Sequence, residues 1–255
     1  MTLAVPGELL VAYLLASVRI VAWLAIVPPF AGRSVPMMAK VVLSLGLSFA
    51  VAPKLAAGGI GMGNAELLVN VVTQVLIGTA MGFVTYLLFA AIAAAGTLVD
   101  VFGGFSLAQG FDPLSMNMNT VFGKFHQLLA TVLMFATGAH LLVIGGLLKT
   151  FDVLPLGEMP DVSGLPDVLL KAFGVFFVTA VQIALPLIAV LFVADLGLAM
   201  LTKVAPQLQA MNFMFPAKIG LTLLLLGLSF PVLPEAVRRL AGLATEAMAQ
   251  LAGAG

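Results

Sequence analysis

The sequence predicts an all-α integral membrane protein of about six hydrophobic helical blocks. Three observations carry this. The chain is 62% hydrophobic and 9% charged, against roughly 45–50% apolar and about 25% charged in soluble proteins. So few charges cannot cover a water-exposed surface of this size. Its apolar runs are long and do not alternate with polar residues, which argues against a membrane β-barrel. In lipid an unbroken apolar run satisfies its own backbone only as a helix.

The first block is Leu9–Val27. The N-terminal sequence MTLAVPGELLVAYLLASVRI has no basic leader region. Its apolar stretch continues past Arg19 to Pro28, so it is expected to be a retained helix. Pro28-Pro29 closes it, and Gly32, Arg33, Ser34 and Pro36 mark the connection. The second block, Ala39–Ala57, ends at the glycine-rich stretch Gly58–Gly63. The third, Leu67–Val99, exceeds the about 20 residues that cross a bilayer. As one helix it is roughly 50 Å long, so it must be broken, steeply tilted or project beyond the lipid. Gly78 and Gly82 within it share a GxxxG spacing that allows close helix approach.

Block four, Phe125–Leu148, places His126 and His140 near opposite ends of one expected helix. Fourteen residues of helical rise separate them by about 21 Å, too far to share a metal. The separator Pro155–Pro166, with Glu158, Asp161 and nearby Asp167, reads as the most hydrated loop. Block five, Leu169–Leu201, is again over-long, and Pro186 inside it predicts a kink. Lys203–Pro216 separates it from block six, Ala217–Val232, which an Ala/Gly-rich C-terminus follows. No soluble domain is evident, so residues 1–255 read as one membrane-embedded domain.

Between blocks three and four lies GGFSLAQGFDPLSMNMNTVFG, Gly103–Gly123. It is too long for a tight turn and too poor in charge for an ordinary solvated loop. Gly103, Gly104, Gly110 and Gly123 provide backbone freedom, and Pro113 restricts it locally. Phe105, Phe111, Met116 and Met118 provide apolar surface, the methionines adapting to irregular shapes.

Polar residues in apolar places come next. Arg19 sits near the middle of block one, where a charge costs about 2.5–3.5 kcal/mol on insertion scales. It must face protein, water or an acid, and Asp195 in block five is one candidate partner. A structural pairing is favoured over the lining of an aqueous path. Asp100 and Asp112 have no histidine or serine at a matched spacing, so no nucleophilic triad is visible. HExxH, a Walker loop and GxSxG with partners are missing too. The reading is therefore not an enzyme, and it implies no cofactor or metal. The absence of cysteine excludes disulfides and thiolate sites, and zero net charge leaves no nucleic-acid footprint. Lys54, Lys149, Lys171, Arg238 and Arg239 on one side of a six-span layout balance Arg33, Lys40, Lys124, Lys203 and Lys218 on the other. The positive-inside rule then assigns no orientation.

Four ordered segments resemble the FliR/SctT family of type III secretion export-gate proteins, over essentially the whole chain. Arg19, Pro28-Pro29-Phe30, Arg33, Pro36 and Lys40 are similar to the family's opening. Asp100, Gly103-Gly104-Phe105, Ala108 and Asp112-Pro113 match its glycine-rich run. GAHLLVIGGLLKTFDVLPLG, Gly138–Gly157, matches its Gly-x-His helix, and LTKVAPQLQAMNFMFPAKIGLTLLLL its Ala-Pro-Gln and Phe-Pro segment. Lys203 stands where the family has arginine, and Met214 where it has glycine. The resemblance implies a FliP-like part followed by a FliQ-like part, in a helical export gate with one copy of this chain. The implied partners are FliP-like and FliQ-like subunits, FlhB- and FlhA-like export components, and unfolded flagellar substrates. The implied location is the bacterial inner membrane at the flagellar basal body. The resemblance places Gly103–Gly123 as a plug, with Gly103, Gly104, Phe105, Phe111, Pro113, Met116 and Met118 as its candidate residues. Arg19, Arg33, Asp100, Asp195 and Lys203 become candidate structural or assembly charges. The alternative is a secondary transporter for a small molecule or ion, with Arg19, Asp100 and Asp195 as coupling charges and the glycine-broken middle as an unwound site.

Overall fold

The computed structural model describes residues 6–32, 35–56, 63–105, 120–161, 163–204 and 210–253. Among these residues every regular element is a helix: α1 (Gly7–Leu24), α2 (Met37–Ala56), α3 (Asn64–Gly103), α4 (Val121–Ala136), α5 (Ala139–Val153), α6 (Leu165–Val204), α7 (Ala210–Ser229) and α8 (Leu233–Leu251). The all-α membrane class is as the sequence predicts. Among the described residues four helices, α1, α2, α3 and α6, are long and apolar enough to cross a membrane, and the α4–α5 pair makes a fifth if counted as one span. That is fewer than six because the last apolar block supplies only the shorter apolar helix Pro216–Gly227. Large side chains such as Leu76, Phe177, Val193 and Met200 stand exposed on the outer faces. Apolar exposure on this scale suits lipid or partner protein, not water.

Two compact units emerge, each assembled from non-contiguous segments. The first comprises Met1–Leu88, Gly138–Phe173 and Arg239–Gly255, and the second Phe89–Thr137 and Gly174–Arg238. In the first unit α1 packs along α2. The buried residues of α1 are Ala12, Leu15, Ala16, Ser17, Arg19, Ile20, Trp23 and Leu24, most of them on one face. They recur at three- and four-residue steps, the stripe of a helix that turns one face inward. Arg19 therefore lies in the middle of an apolar seam. The α3 backbone closes on this seam at two glycines. A Cβ on Gly78 would strike the Arg19 carbonyl oxygen, and one on Gly82 would come within 3.3 Å of the Trp23 carbonyl. The GxxxG spacing thus serves tight helix packing, because only glycine leaves room for the neighbouring backbone.

The over-long blocks are not broken. Helices α3 and α6 each run 40 residues, about 60 Å at the helical rise. Helix α6 continues through Pro186, so the proline does not end it. The break falls elsewhere, inside the fourth block. Gly138 adopts a left-handed φ of 73°, and the Thr137 hydroxyl donates to the Leu133 carbonyl at 2.7 Å. The expected single helix becomes α4 and α5, and His126 and His140 sit on different helices. Glycine is needed there for its dihedral angle, since a Cβ would meet nothing within 4 Å.

Helix α8 is the element the apolar blocks omit. Leu233, Val237, Leu240, Ala241, Ala244 and Met248 are buried along one face, while Glu235, Arg238, Arg239 and Glu246 are exposed on the other. Gly146 of α5 gives way to Thr245 of α8, whose Cγ2 lies 2.7 Å from where a glycine Cβ would stand.

Candidate functional site at the base of residues 106–119

Helix α3 ends at Gly103 and α4 begins at Val121, so the ends of the Gly103–Gly123 stretch belong to the second unit. Of its candidate residues, Gly103, Gly104 and Phe105 are described. Phe111, Pro113, Met116 and Met118 lie outside the described residues, as does Arg33 in the α1–α2 connection.

The base is built on one face of α3. Ala93, Gly96, Thr97 and Asp100 fall at helical spacing and meet the start of α4. A helix start leaves its first N–H groups without partners inside the helix. Asp100 supplies the acceptor: its Oδ2 takes the N–H of Phe122 at 2.9 Å and of Gly123 at 3.0 Å. The carboxylate is 1% exposed. Its charge is offset by these two donors and by the positive end of the α4 dipole. Oδ1 has no hydrogen-bond partner among the described residues.

Thr120, the residue preceding α4, makes no side-chain cap of its own. Its hydroxyl lies 3.1 Å from that of Thr97. Thr97 donates to the Ala93 carbonyl at 3.2 Å, so Thr120 is the donor to Thr97. The α3 and α4 backbones touch at Gly96, where a Cβ would strike the Phe122 carbonyl oxygen and come within 2.8 Å of the Gly123 nitrogen. The Phe122 carbonyl oxygen also sits 2.9 Å from Nδ1 of buried His126, which assigns the Nδ1–H tautomer to that ring. The Phe122 ring stacks edge-on against Phe105 at 4.8 Å. Phe122 thereby joins the two ends of the segment. On the entry side, Gly104 takes a left-handed φ of 84°. Gly103 leaves space for Thr222 of α7, whose hydroxyl would otherwise lie 2.9 Å from a Cβ.

The remaining candidate charges are placed separately. In the second unit, Lys218 Nζ lies 2.8 and 2.9 Å from the two oxygens of Asp195. In the first unit, Arg19 donates from Nε to Gln74 Oε1 at 2.6 Å and from Nη2 to the Leu154 carbonyl at 3.0 Å. Its guanidinium carbon stands 4.1 Å from the centre of the Phe151 ring. The pairing of Arg19 with Asp195 considered from the sequence is therefore not formed: a polar amide, a carbonyl and an aromatic face take the cation, and Lys218 takes the acid. Lys203 is exposed in the last turn of α6.

Residues 10–243 match the family model described as "Bacterial export proteins, family 1". The chain belongs to this family. Curated relatives of this export protein agree with the match. The flagellar biosynthetic protein FliR of Escherichia coli K12 is 33% identical over 215 residues, 84% of this chain and 82% of the relative. That of Pectobacterium carotovorum is 32% identical over 217 residues, covering 85% and 83%. That of Bacillus subtilis 168 is 27% identical over 250 residues, covering 96% and 95%. Of the residues at this junction, the sequence singled out Asp100 and Gly103 but not Gly96, Thr97, Thr120 or Thr222. The repeat of small and polar residues at Ala93, Gly96, Thr97 and Asp100 was the available signal.

Proposed function

We propose that this export protein is a subunit of the flagellar type III export gate in the bacterial inner membrane at the basal body. FliP-like and FliQ-like subunits would surround one copy of it, with FlhB- and FlhA-like components acting beside them on unfolded flagellar proteins. The observation that carries this reading is the match over residues 10–243, together with relatives named flagellar biosynthetic protein FliR that align over more than four fifths of their length. The unbroken 40-residue helices and the apolar outer faces support it, because such surfaces call for partner subunits or lipid. The reading assigns the chain passage and sealing, and no bond-making chemistry.

Residues Gly103–Gly123 are the plug in this reading. A plug needs fixed ends and an apolar, yielding middle. The hydrogen-bonded base at Asp100, Thr97 and Thr120 supports the first requirement, and Phe111, Met116 and Met118 in the sequence support the second. Deleting the gene is expected to abolish filament assembly and motility, with restoration on complementation. A motile deletion strain would overturn the assignment. Deleting part of Phe105–Asn119 is expected to leave co-purification with FliP- and FliQ-like subunits intact while making the membrane leaky to small ions. A membrane as tight as the parent's would refute the plug.

A further inference from the structure

In the base described above one side chain, Asp100, accepts two backbone N–H groups of the same helix start. Resting on the plug reading of the adjoining segment, we propose that Asp100 is a positioning residue: its carboxylate pins the first turn of α4 to α3. It thereby sets where the plug segment rejoins the helical frame.

Three observations converge on this. First, Asp100 Oδ2 is the side-chain acceptor for two N–H groups of the first turn of α4, while the Thr120 hydroxyl that would ordinarily cap the helix is turned to Thr97. Second, the contact is backbone on backbone. At Gly96 a single methyl group would come within 2.6 Å of the Phe122 carbonyl carbon, so nothing can be interposed while the pin holds. Third, the pinned residue is the one that reaches the other end of the segment. Phe122 gives its N–H to Asp100, sets its carbonyl against His126 Nδ1, and stacks its ring on Phe105. For α4 to shift away from α3, a buried carboxylate must release two donors at once, which low-dielectric surroundings make costly.

The test uses the full chain, which is naturally free of cysteine. A Thr97→Cys/Thr120→Cys pair replaces two hydroxyls 3.1 Å apart and is expected to crosslink readily on addition of a mild oxidant. Adding Asp100→Ala is expected to slow crosslinking roughly tenfold, the factor carried by about 1.4 kcal/mol. Asp100→Asn, which keeps one carbonyl-type acceptor, should fall between. Crosslinking of the Asp100→Ala protein at the parent rate overturns the proposal. Should that variant fail to accumulate in the membrane, Asp100→Asn carries the test alone, and crosslinking at the parent rate there refutes the pin. Ion leak in the same membranes separates the two claims. A leaky deletion of residues 106–119 beside unimpaired crosslinking in Asp100→Ala sinks the pin and keeps the plug. A tight deletion beside slowed crosslinking sinks the plug and keeps Asp100 as the residue that holds the junction.

Discussion

Arg19 in the first unit and Asp100 in the second are both buried charges, 0% and 1% exposed, and neither is held by an opposite charge among the described residues. They are held in different ways, each with one buried atom left unpartnered among those residues: Arg19 Nη1 and Asp100 Oδ1. The arginine uses its own donors to reach outward, to Gln74, to the Leu154 carbonyl and to the face of Phe151. It ties α1 to α3 and to the end of α5, so its loss strands acceptors on two other segments. The aspartate receives donors that a helix start already offers. Its loss leaves N–H groups that a water or a neighbouring hydroxyl can still serve. A buried cation among neutral acceptors thus works as a staple for a whole unit, whereas a buried anion at a helix start works as a local pin.

The largest expected effect breaks the staple. Arg19→Leu orphans two acceptors, each worth about 1–3 kcal/mol. Relief of the buried charge offsets part of this, leaving a net loss of about 2–4 kcal/mol. Trp23, the only tryptophan of this sequence, is fully buried one turn away, so its fluorescence reports unfolding of the purified protein in detergent. A melting curve matching the parent's would remove the staple. Arg19→Lys sharpens the same point. A compact ammonium cannot serve Gln74 and Leu154 in fork geometry while lying flat on a ring, so it should recover only part of the lost stability. Full recovery would mean that charge alone matters. Asp100→Ala is expected to cost less, about 0.5–2 kcal/mol, the scale of a lost helix cap. In melts followed by Trp23, which belongs to the other unit, it should lower the transition by less than Arg19→Leu does, and the reverse order would invert the comparison. The smallest effect belongs to Lys54 and Asp152. Their contact of 2.6 Å joins side chains 74% and 54% exposed, and such pairs contribute about 0–1 kcal/mol. Lys54→Ala should melt as the parent does, with a clear drop contradicting that estimate.

Much of the helical frame was legible in the sequence because helix formation in lipid depends on local apolar density. The two failures have local causes as well. Gly138 lies inside an apolar run long enough to read as one helix, and its left-handed φ reveals the break. Helix α8 carries Glu235, Arg238, Arg239 and Glu246, which dilute its apolar content, although its buried residues keep helical spacing. The base of residues 106–119 was half legible. The glycines and Asp100 stood out beside a polar stretch, but Thr97 and Thr120 are 23 residues apart and meet only once α3 and α4 are side by side.

By itself, then, the sequence determined that the chain is helical and belongs with membranes, that its polar breaks fall where they do, and that Arg19 must find a partner. These follow from composition and from spacing along the chain. Tertiary structure decided which partners the charges find. Arg19 meets Gln74 across 55 residues and Leu154 across 135, and Asp195 meets Lys218 instead of Arg19. Such choices depend on which helix faces come together and on how closely glycines such as Gly78 and Gly96 let two backbones approach, and neither quantity is carried by the periodicity of a single helix.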